Sequence, residues 1–497
     1  MLLGISFAAN ALANFLVGLL VAKFLGPTEY GRFALAFAAA VTINSAGFDW
    51  IRLSAIRFYS ERARLERPEV RATLDDCVAT IAFIISLIVL AVAFSGVKLP
   101  ISTGLLAMAA ATGVASGLYD YTTALARARF LDKTYTGIIV VKNLLGLLLT
   151  VGGAWLFHSA ALALAGVTLS VAGALAAAGR PLLDRGAGPA LGRWSMAKSF
   201  MAYGLPFVGS GILFQAIPLI NRTLVSSLFG FGETGQFSLA NDLGVRVLAA
   251  IASTLDVLLF QLAVRADEAH GPARARAQLA ENMTTVLAIV LPTAVGLWLI
   301  LPSFEALIVP EAYRGPFAHY LTLMLPGLAA YVMLQYTISP IFQIAKQPRP
   351  MVVVGLAACA ADGLFILLLP RADGFSFAVA QSGAQILGLS TGIALAAMTR
   401  PHWPAWRDLA APVLATFVMV VIVLPLRGRA PGGLTLVMQA GLGVACYAAL
   451  AYLLDIAKAR ARLAAFIEAR RAVAAPLSLR EKRGLTPRSD PSRAPGS

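Results

Sequence analysis

A charged side chain in hydrocarbon costs about 3 kcal/mol on insertion scales, so charges inside long apolar runs are the first candidates for chemistry. In the run 30–56, Thr42, Ser45, Asp49 and Arg52 recur at helical spacing and share one face. In the run 233–264, Asp242, Arg246, Ser253 and Asp256 do the same. The run 199–228 adds Gln215 and Arg222, and the run 2–25 adds Asn10 and Asn14, with Lys23 near its end. Lys142 and Asn143 lie in 135–157, Asp120 in 101–126 and Asp362 in 351–369. Together Lys23, Arg52, Lys142, Arg222 and Arg246 give an interior a cationic lining. Such a lining suits an anionic substrate, because a guanidinium holds phosphate through a bidentate fork. Asp49, Asp242, Asp256, Asn14 and Gln215 complete the set of cavity candidates. A blander reading stays open. Asp49 with Arg52, and Asp242 with Arg246, have intrahelical ion-pair spacing and on that reading only neutralise each other. Arg222 has no such partner on its own helix, and Lys23 and Arg32 then only snorkel to the interface.

Other chemistries find little support. His158, His270, His319 and His402 are scattered over loops and run ends without metal or base spacing. Cys77, Cys359 and Cys446 are far apart and read as small buried hydrophobes. There is no phosphate-binding Gly-rich loop before a Lys, no Gly-x-Ser-x-Gly elbow and no Cys-x-x-Cys. No metal and no cofactor are therefore expected, and an enzyme is not.

The elements that position these charges follow from composition. With 497 residues, 59% hydrophobic and 13% charged, and a mean hydropathy of +0.78, the chain is too apolar for a water-soluble domain. The fold class is an all-α polytopic membrane protein, with about fourteen runs that reach the roughly 20 residues of a span. The run 2–25 lacks a basic n-region and an Ala-x-Ala-like site, and reads as a retained first span. The net charge of +15 does not mark nucleic-acid binding, because the basic residues fall between apolar runs. One alternating set of loops holds Arg57, Arg62, Arg64, Arg67 and Arg71, then Arg127, Arg129 and Lys133, then Arg180, Arg185, Arg193 and Lys198. The set continues with Arg265, Arg274 and Arg276, then Lys346 and Arg349, then Arg400 and Arg407. The opposite loops are short and nearly bare, which places both termini in the cytoplasm. From Ile456 a basic, apolar-striped segment carries Lys458, Arg460, Arg462, Arg470 and Arg471. It is expected either as an amphipathic helix on the anionic membrane surface or as an extension of the last span, with a disordered end.

The chain is duplicated. VAKFLGPTEYGRFALA, Val21 to Ala36, returns as VSSLFGFGETGQFSLA, Val225 to Ala240, at an offset of 204 residues. Val21, Gly26, Glu29, Gly31, Phe33, Leu35 and Ala36 face identical residues. Each copy predicts a helical hairpin with a tight glycine turn. The same offset sets positions 42, 45, 49 and 52 against Arg246, Ala249, Ser253 and Asp256, so polar faces are expected to meet across a central cleft.

The stretch Ala-Lys-Phe-Leu-Gly-Pro-Thr-Glu-Tyr-Gly-Arg-Phe-Ala-Leu, residues 22–35, resembles the opening hairpin of O-antigen-type polysaccharide flippases. These belong to the multidrug/oligosaccharidyl-lipid/polysaccharide exporter superfamily. Chain length and span number are similar too. The resemblance implies two pseudo-symmetric six-helix lobes around an alternately opening cavity, plus two C-terminal helices. On this chain that gives an N-lobe over 1–180, a cytoplasmic linker over 181–198, a C-lobe over 199–398, two spans over 399–456 and a basic tail over 457–497. It also implies a polyprenyl-pyrophosphate-linked oligosaccharide substrate, with Arg52, Arg222 and Arg246 at plausible pyrophosphate positions, although Asp49, Asp242 and Asp256 dilute the positive field. Expected partners are this substrate, membrane lipids and polysaccharide polymerases or glycosyltransferases, with a monomer in a bacterial inner membrane. A drug/cation antiporter of the same superfamily is the alternative, but no acidic residue occurs between Leu2 and Leu25 to serve its proton site. A membrane glycosyltransferase or polymerase is disfavoured by the short outward loops.

Overall fold

A computed structural model describes residues 2–97, 99–182, 192–399, 401–464 and 468. Lys98, Arg185, Arg400, Arg470, Arg471 and the polar C-terminal end lie outside the described residues, as do the side chains of Asn10, Arg180, Ser253 and Asp256. Among the described residues the chain is all helix, without strands. Its elements are α1 (Leu2–Phe58), α2 (Glu61–Glu66), α3 (Glu69–Phe94), α4 (Thr103–Ala128), α5 (Asp132–Leu145), α6 (Gly152–Phe157) and α7 (Ala160–Leu182), followed by α8 (Trp194–His270) and α9 (Pro272–Ile308). Then come α10 (Pro316–Met333), α11 (Ser339–Ile344), α12 (Arg349–Leu368), α13 (Phe375–Met398), α14 (Trp406–Arg427) and α15 (Gly433–Leu453).

Ten helical stretches among the described residues are long and apolar enough to cross a membrane. Two of them, Asn14–Phe58 and Val208–Ala250, each contain the break described next, and α4 and α13, 26 and 24 residues long, also have the length of a span. Large apolar side chains such as Phe83, Phe94, Leu148 and Val444 point outward. That is the arrangement expected where the surroundings are lipid rather than water.

Both duplicated turns consist of one non-helical residue. Gly26 breaks α1 with φ 69° and ψ 172°, and Gly230 breaks α8 with φ 85° and ψ 176°. An L side chain is strained at these positive φ values, which is why glycine recurs at the offset of 204. Pro27 follows the first break, where its missing N–H is no loss because the new helical arm has no partner for it.

Two spans carry π turns. Residues Gly146–Val151 join α5 to α6, and Leu334–Ile338 join α10 to α11. In the second, Pro340 cannot donate to the preceding turn, and the ladder widens ahead of it. At the first, Gly166 lets α7 press on the π turn at Leu149 and Thr150, and Gly153 lets α6 approach α7, since a Cβ there would lie 2.8 Å from the Leu162 carbonyl oxygen.

Packing follows the duplication. The arms of α1 pack against α4 and α7, those of α8 against α9, α10 and α12, and α1 and α8 pack on each other. The C-terminal pair α14 and α15 rests on α9. There the Tyr447 hydroxyl donates to the Ala288 carbonyl at 2.6 Å, and the Arg427 guanidinium lies 3.9 Å from the centre of the Trp298 ring. Beyond α15 the chain turns through left-handed Asp455, Ala457 and Lys458, and Lys458 pairs with Glu281 of α9 at 2.9 Å. The tail therefore starts by docking on α9 and does not extend the last helix.

Candidate functional site

The glycine elbows meet each other. A Cβ at Gly31 would collide with the Phe231 carbonyl, and one at Gly235 would collide with the Pro27 carbonyl. The offset of 204 turns Gly31 into 235 and Pro27 into 231, so the two contacts are one contact exchanged by a pseudo-two-fold axis. The Arg32 guanidinium sits over the Phe231 ring at 5.3 Å. Glu29 accepts the Ala160 N–H at the start of α7 at 2.9 Å, and Glu233 accepts the Tyr320 hydroxyl beside Gly374 at the start of α13. Glu29 therefore caps α7, and Glu233 anchors α10 through Tyr320.

Behind the elbows lies a cavity of about 220 Å³, lined in part by Gln215, Pro218, Arg222, Asp242, Arg246 and Tyr331. Arg222 forms an ion pair with Asp242 and donates a 3.3 Å hydrogen bond to the Ala34 carbonyl of the other repeat. The arms of α8 fold back at Gly230, which brings these two residues, 20 apart in the chain, together. Asp242 also accepts from Asn241 at 3.2 Å and from the Tyr30 hydroxyl at 3.5 Å, and Gln381 of α13 holds Asn241 at 2.8 Å. Tyr30 packs edge-on against Tyr313, whose hydroxyl donates to the Ala22 carbonyl at 3.1 Å. Burial pushes the Tyr313 phenol well above its ordinary range, so it stays a donor.

Arg246 behaves differently. The i, i+4 spacing allows a pair with Asp242, but Asp242 is taken by Arg222, and Arg246 instead donates to the Asn14 backbone carbonyl. Its guanidinium fills the space over Gly18, where a Cβ would lie 2.9 Å from its Cζ. Among the described residues Arg246 has no carboxylate partner. The offset equates Arg222 with Gly18, Asp242 with Ala38 and Arg246 with Thr42. The charges of this cavity therefore come from the second repeat, against small or backbone groups of the first.

The expected meeting of polar faces lies partly outside the described residues, which exclude the side chains of Ser253 and Asp256; on the first repeat the polar groups bond within their own helix. Thr42 bonds the Ala38 carbonyl of its own helix at 3.0 Å, and Asp49 pairs with Arg52 at 2.8 Å along one helix. Arg52 lines a second cavity of about 210 Å³ between the end of α1, α4 and α5, and Lys142 stands nearby with Nζ 5.5 Å from the Tyr119 ring. Lys23 is exposed and lines neither cavity. Of the ten candidates, Gln215, Arg222, Asp242 and Arg246 share one cavity, with the Asn14 carbonyl at its edge, while Arg52, Asp49 and Lys142 belong to the other region. Tyr30, Asn241 and Gln381 escaped the sequence reading, since uncharged polar residues raise no alarm in an apolar run. Asp362, buried on α12, accepts two hydrogen bonds from Asn221, at 3.0 and 2.9 Å.

A helical fold of long apolar spans, with two glycine-broken arm pairs packed about a pseudo-two-fold axis, defines a multi-pass membrane protein. A family model described as polysaccharide biosynthesis protein matches residues 20–313, more than half of the chain, and the chain belongs to that family. Among solved structures it is similar to the lipid II flippase MurJ in an inward closed conformation, with a TM-score of 0.70 and 13% identity over 92% of this chain and 99% of that one. It is also similar to a multidrug resistance MATE family transporter of the MOP superfamily in its inward-facing conformation, with a TM-score of 0.52 and 11% identity over 79% of this chain and 93% of that one. At these identities the likeness is one of fold. A sequence comparison with curated proteins finds no match.

Proposed function

We propose that the protein is an alternating-access flippase that carries a polyprenyl-pyrophosphate-linked oligosaccharide from the cytoplasmic to the outer leaflet of a bacterial inner membrane. The family assignment, the shared fold of a lipid II flippase and the basic cavity support this reading. Its lobes would be 1–180 and 199–398, joined by 181–198, with 399–456 as an added pair of spans.

The observation that carries the reading is the state of Arg246. Arg222 is already neutralised by Asp242, whereas Arg246 is tied across the repeats to a neutral carbonyl, Asn14. The carbonyl offers Arg246 one neutral acceptor, whereas a phosphate offers a full opposite charge and oxygens for a bidentate fork. A pyrophosphate entering the cavity would therefore capture Arg246 from Asn14 and release one tie between the repeats. Substrate binding and repeat separation are coupled by that exchange, which is what an alternating-access cycle requires.

The test is complementation of a flippase-null strain. Arg246→Ala should reach the membrane at normal levels yet fail to restore surface polysaccharide; Arg222→Ala should fail as well, with a lower level of folded protein because it strands Asp242. Full restoration by both variants would sink the cationic-cavity account. A drug/cation antiporter is the second reading, favoured by the buried Asp362, which has only Asn221 as a partner among the described residues. Cation-driven efflux of a drug from proteoliposomes, with no lipid-linked sugar moved, would select it.

A further inference from the structure

The second cavity has the chemistry of a sugar site. It opens where α1 ends at Phe58, α4 ends at Ala128 and α5 begins at Asp132, the ends that the basic loops assign to the cytoplasm. Its lining includes Arg52, Tyr119, Asp120, Thr123, Arg127 and Tyr135. The groups differ in how far they are already used. Arg52 spends one terminal nitrogen on Asp49, and its Nε is buried with no hydrogen-bond partner. Arg127 makes no ion pair among the described residues and lies 5.9 Å from the centre of the Tyr135 ring. Asp120 accepts one bond, from Asn44 at 2.9 Å, which leaves its other carboxylate oxygen for a hydroxyl.

A purely structural ion cluster would close on itself, with each cation paired and each carboxylate saturated. Here the pairing is incomplete on both signs, and two phenol rings stand beside the unused groups. A free cation selects an anion. A spare carboxylate oxygen selects hydroxyl donors, and tyrosine faces give an apolar surface for the C–H side of a pyranose ring. We propose that this cavity is a separate subsite for an acidic sugar, a uronate or a sugar phosphate, held by Arg127 and Arg52 at its anion, by Asp120 at its hydroxyls and by Tyr119 and Tyr135 at its ring. The inference rests on the flippase reading only for the source of the sugar, the head group of the lipid-linked substrate. It separates two tasks: the pyrophosphate belongs with Arg246, and an acidic sugar belongs at this entrance.

The experiment is direct binding of D-glucuronate to the purified full-length protein in detergent, with D-glucose and acetate as controls. The wild type should bind glucuronate at least about tenfold more tightly than either control, since each control lacks one half of the recognition. Arg127→Gln should weaken glucuronate about tenfold or more, and Asp120→Asn should bring it close to acetate, while Glu281→Gln, outside both cavities, keeps wild-type binding. Arg127 is exposed, so its replacement leaves the fold intact. Equal binding of glucuronate, glucose and acetate would overturn the proposal, as would unchanged binding in Arg127→Gln. So would occupancy by phosphatidylglycerol in lipid nanodiscs that glucuronate fails to displace. None of these readouts involves transport, so failure of the subsite and failure of the flippase reading are distinguishable.

Discussion

Arg246 places its guanidinium in the space left by the missing side chain of Gly18, and reaches the Asn14 carbonyl from there. The glycine is therefore a docking place for a cation of the other repeat. A methyl group at residue 18 would meet only the far end of a flexible side chain. Gly18→Ala should accordingly leave folding nearly unchanged, within about 0.5 kcal/mol, while displacing Arg246 and lowering polysaccharide export. Thermal unfolding beside a complementation assay separates the two effects. A large fall in stability with export intact would contradict the assignment.

The elbow contact predicts the opposite balance. A Cβ at Gly31 or Gly235 runs into backbone carbonyl oxygen, which cannot swing away. Gly31→Ala and Gly235→Ala should each destabilise by about 1–3 kcal/mol, the usual range for overpacking. Because the two contacts are exchanged by the pseudo-two-fold axis, their effects should be similar in size. Chemical denaturation in detergent measures both, and a strong effect from only one of them would deny the equivalence of the elbows.

Arg222 and Asp242 form a buried pair, with Arg222 5% and Asp242 23% exposed at the side chain. Removing the guanidinium alone strands a carboxylate held by Tyr30 and Asn241. Arg222→Met should cost about 3–5 kcal/mol, and the double variant Arg222→Met with Asp242→Leu should regain most of it. Export should stay lost in both, if cavity charge matters beyond stability. A double-mutant cycle on unfolding supplies the coupling, and additive losses would mean that the pair is not an interacting unit.

The Lys458–Glu281 bridge of the tail is a fourth case, with side chains 63% and 33% exposed. Solvent screens such a pair, and Glu281→Gln should change stability by no more than about 1 kcal/mol. Unfolding of that variant at low and high salt checks the figure. A larger, salt-independent loss would show that the tail is a structural part of the C-terminal pair.

Much of this was legible in the residues. Apolar runs marked the helices, and the recurrence of Gly26 and Gly31 at Gly230 and Gly235 marked both the duplication and the elbows. Spacing along one helix found the Asp49–Arg52 pair. It could not find the Arg222–Asp242 pair, because those residues sit on two arms that face each other only after Gly230 turns the chain back. Nor could spacing say that Arg246 would give up Asp242 for a backbone carbonyl, since Gly18 has no side chain to announce its role. The grouping of Arg52 and Lys142 with the central charges failed for a related reason: depth along a span and helical face are readable, but the neighbouring helix toward which a face turns is set by packing. Here α4 and α5 supply those neighbours. Tyr30 and Gln381, uncharged and buried, gave no warning of their place around Asp242.

The central claim is that Arg246 is the cation an anionic head group recruits. The most direct test reconstitutes purified wild type and Arg246→Gln in liposomes that carry a fluorescent polyprenyl-pyrophosphate-linked oligosaccharide, and follows how fast the label becomes accessible to a membrane-impermeant quencher. Wild type should move the lipid well above the rate of protein-free vesicles, and Arg246→Gln should match the protein-free rate. Equal movement by the two proteins would contradict the account.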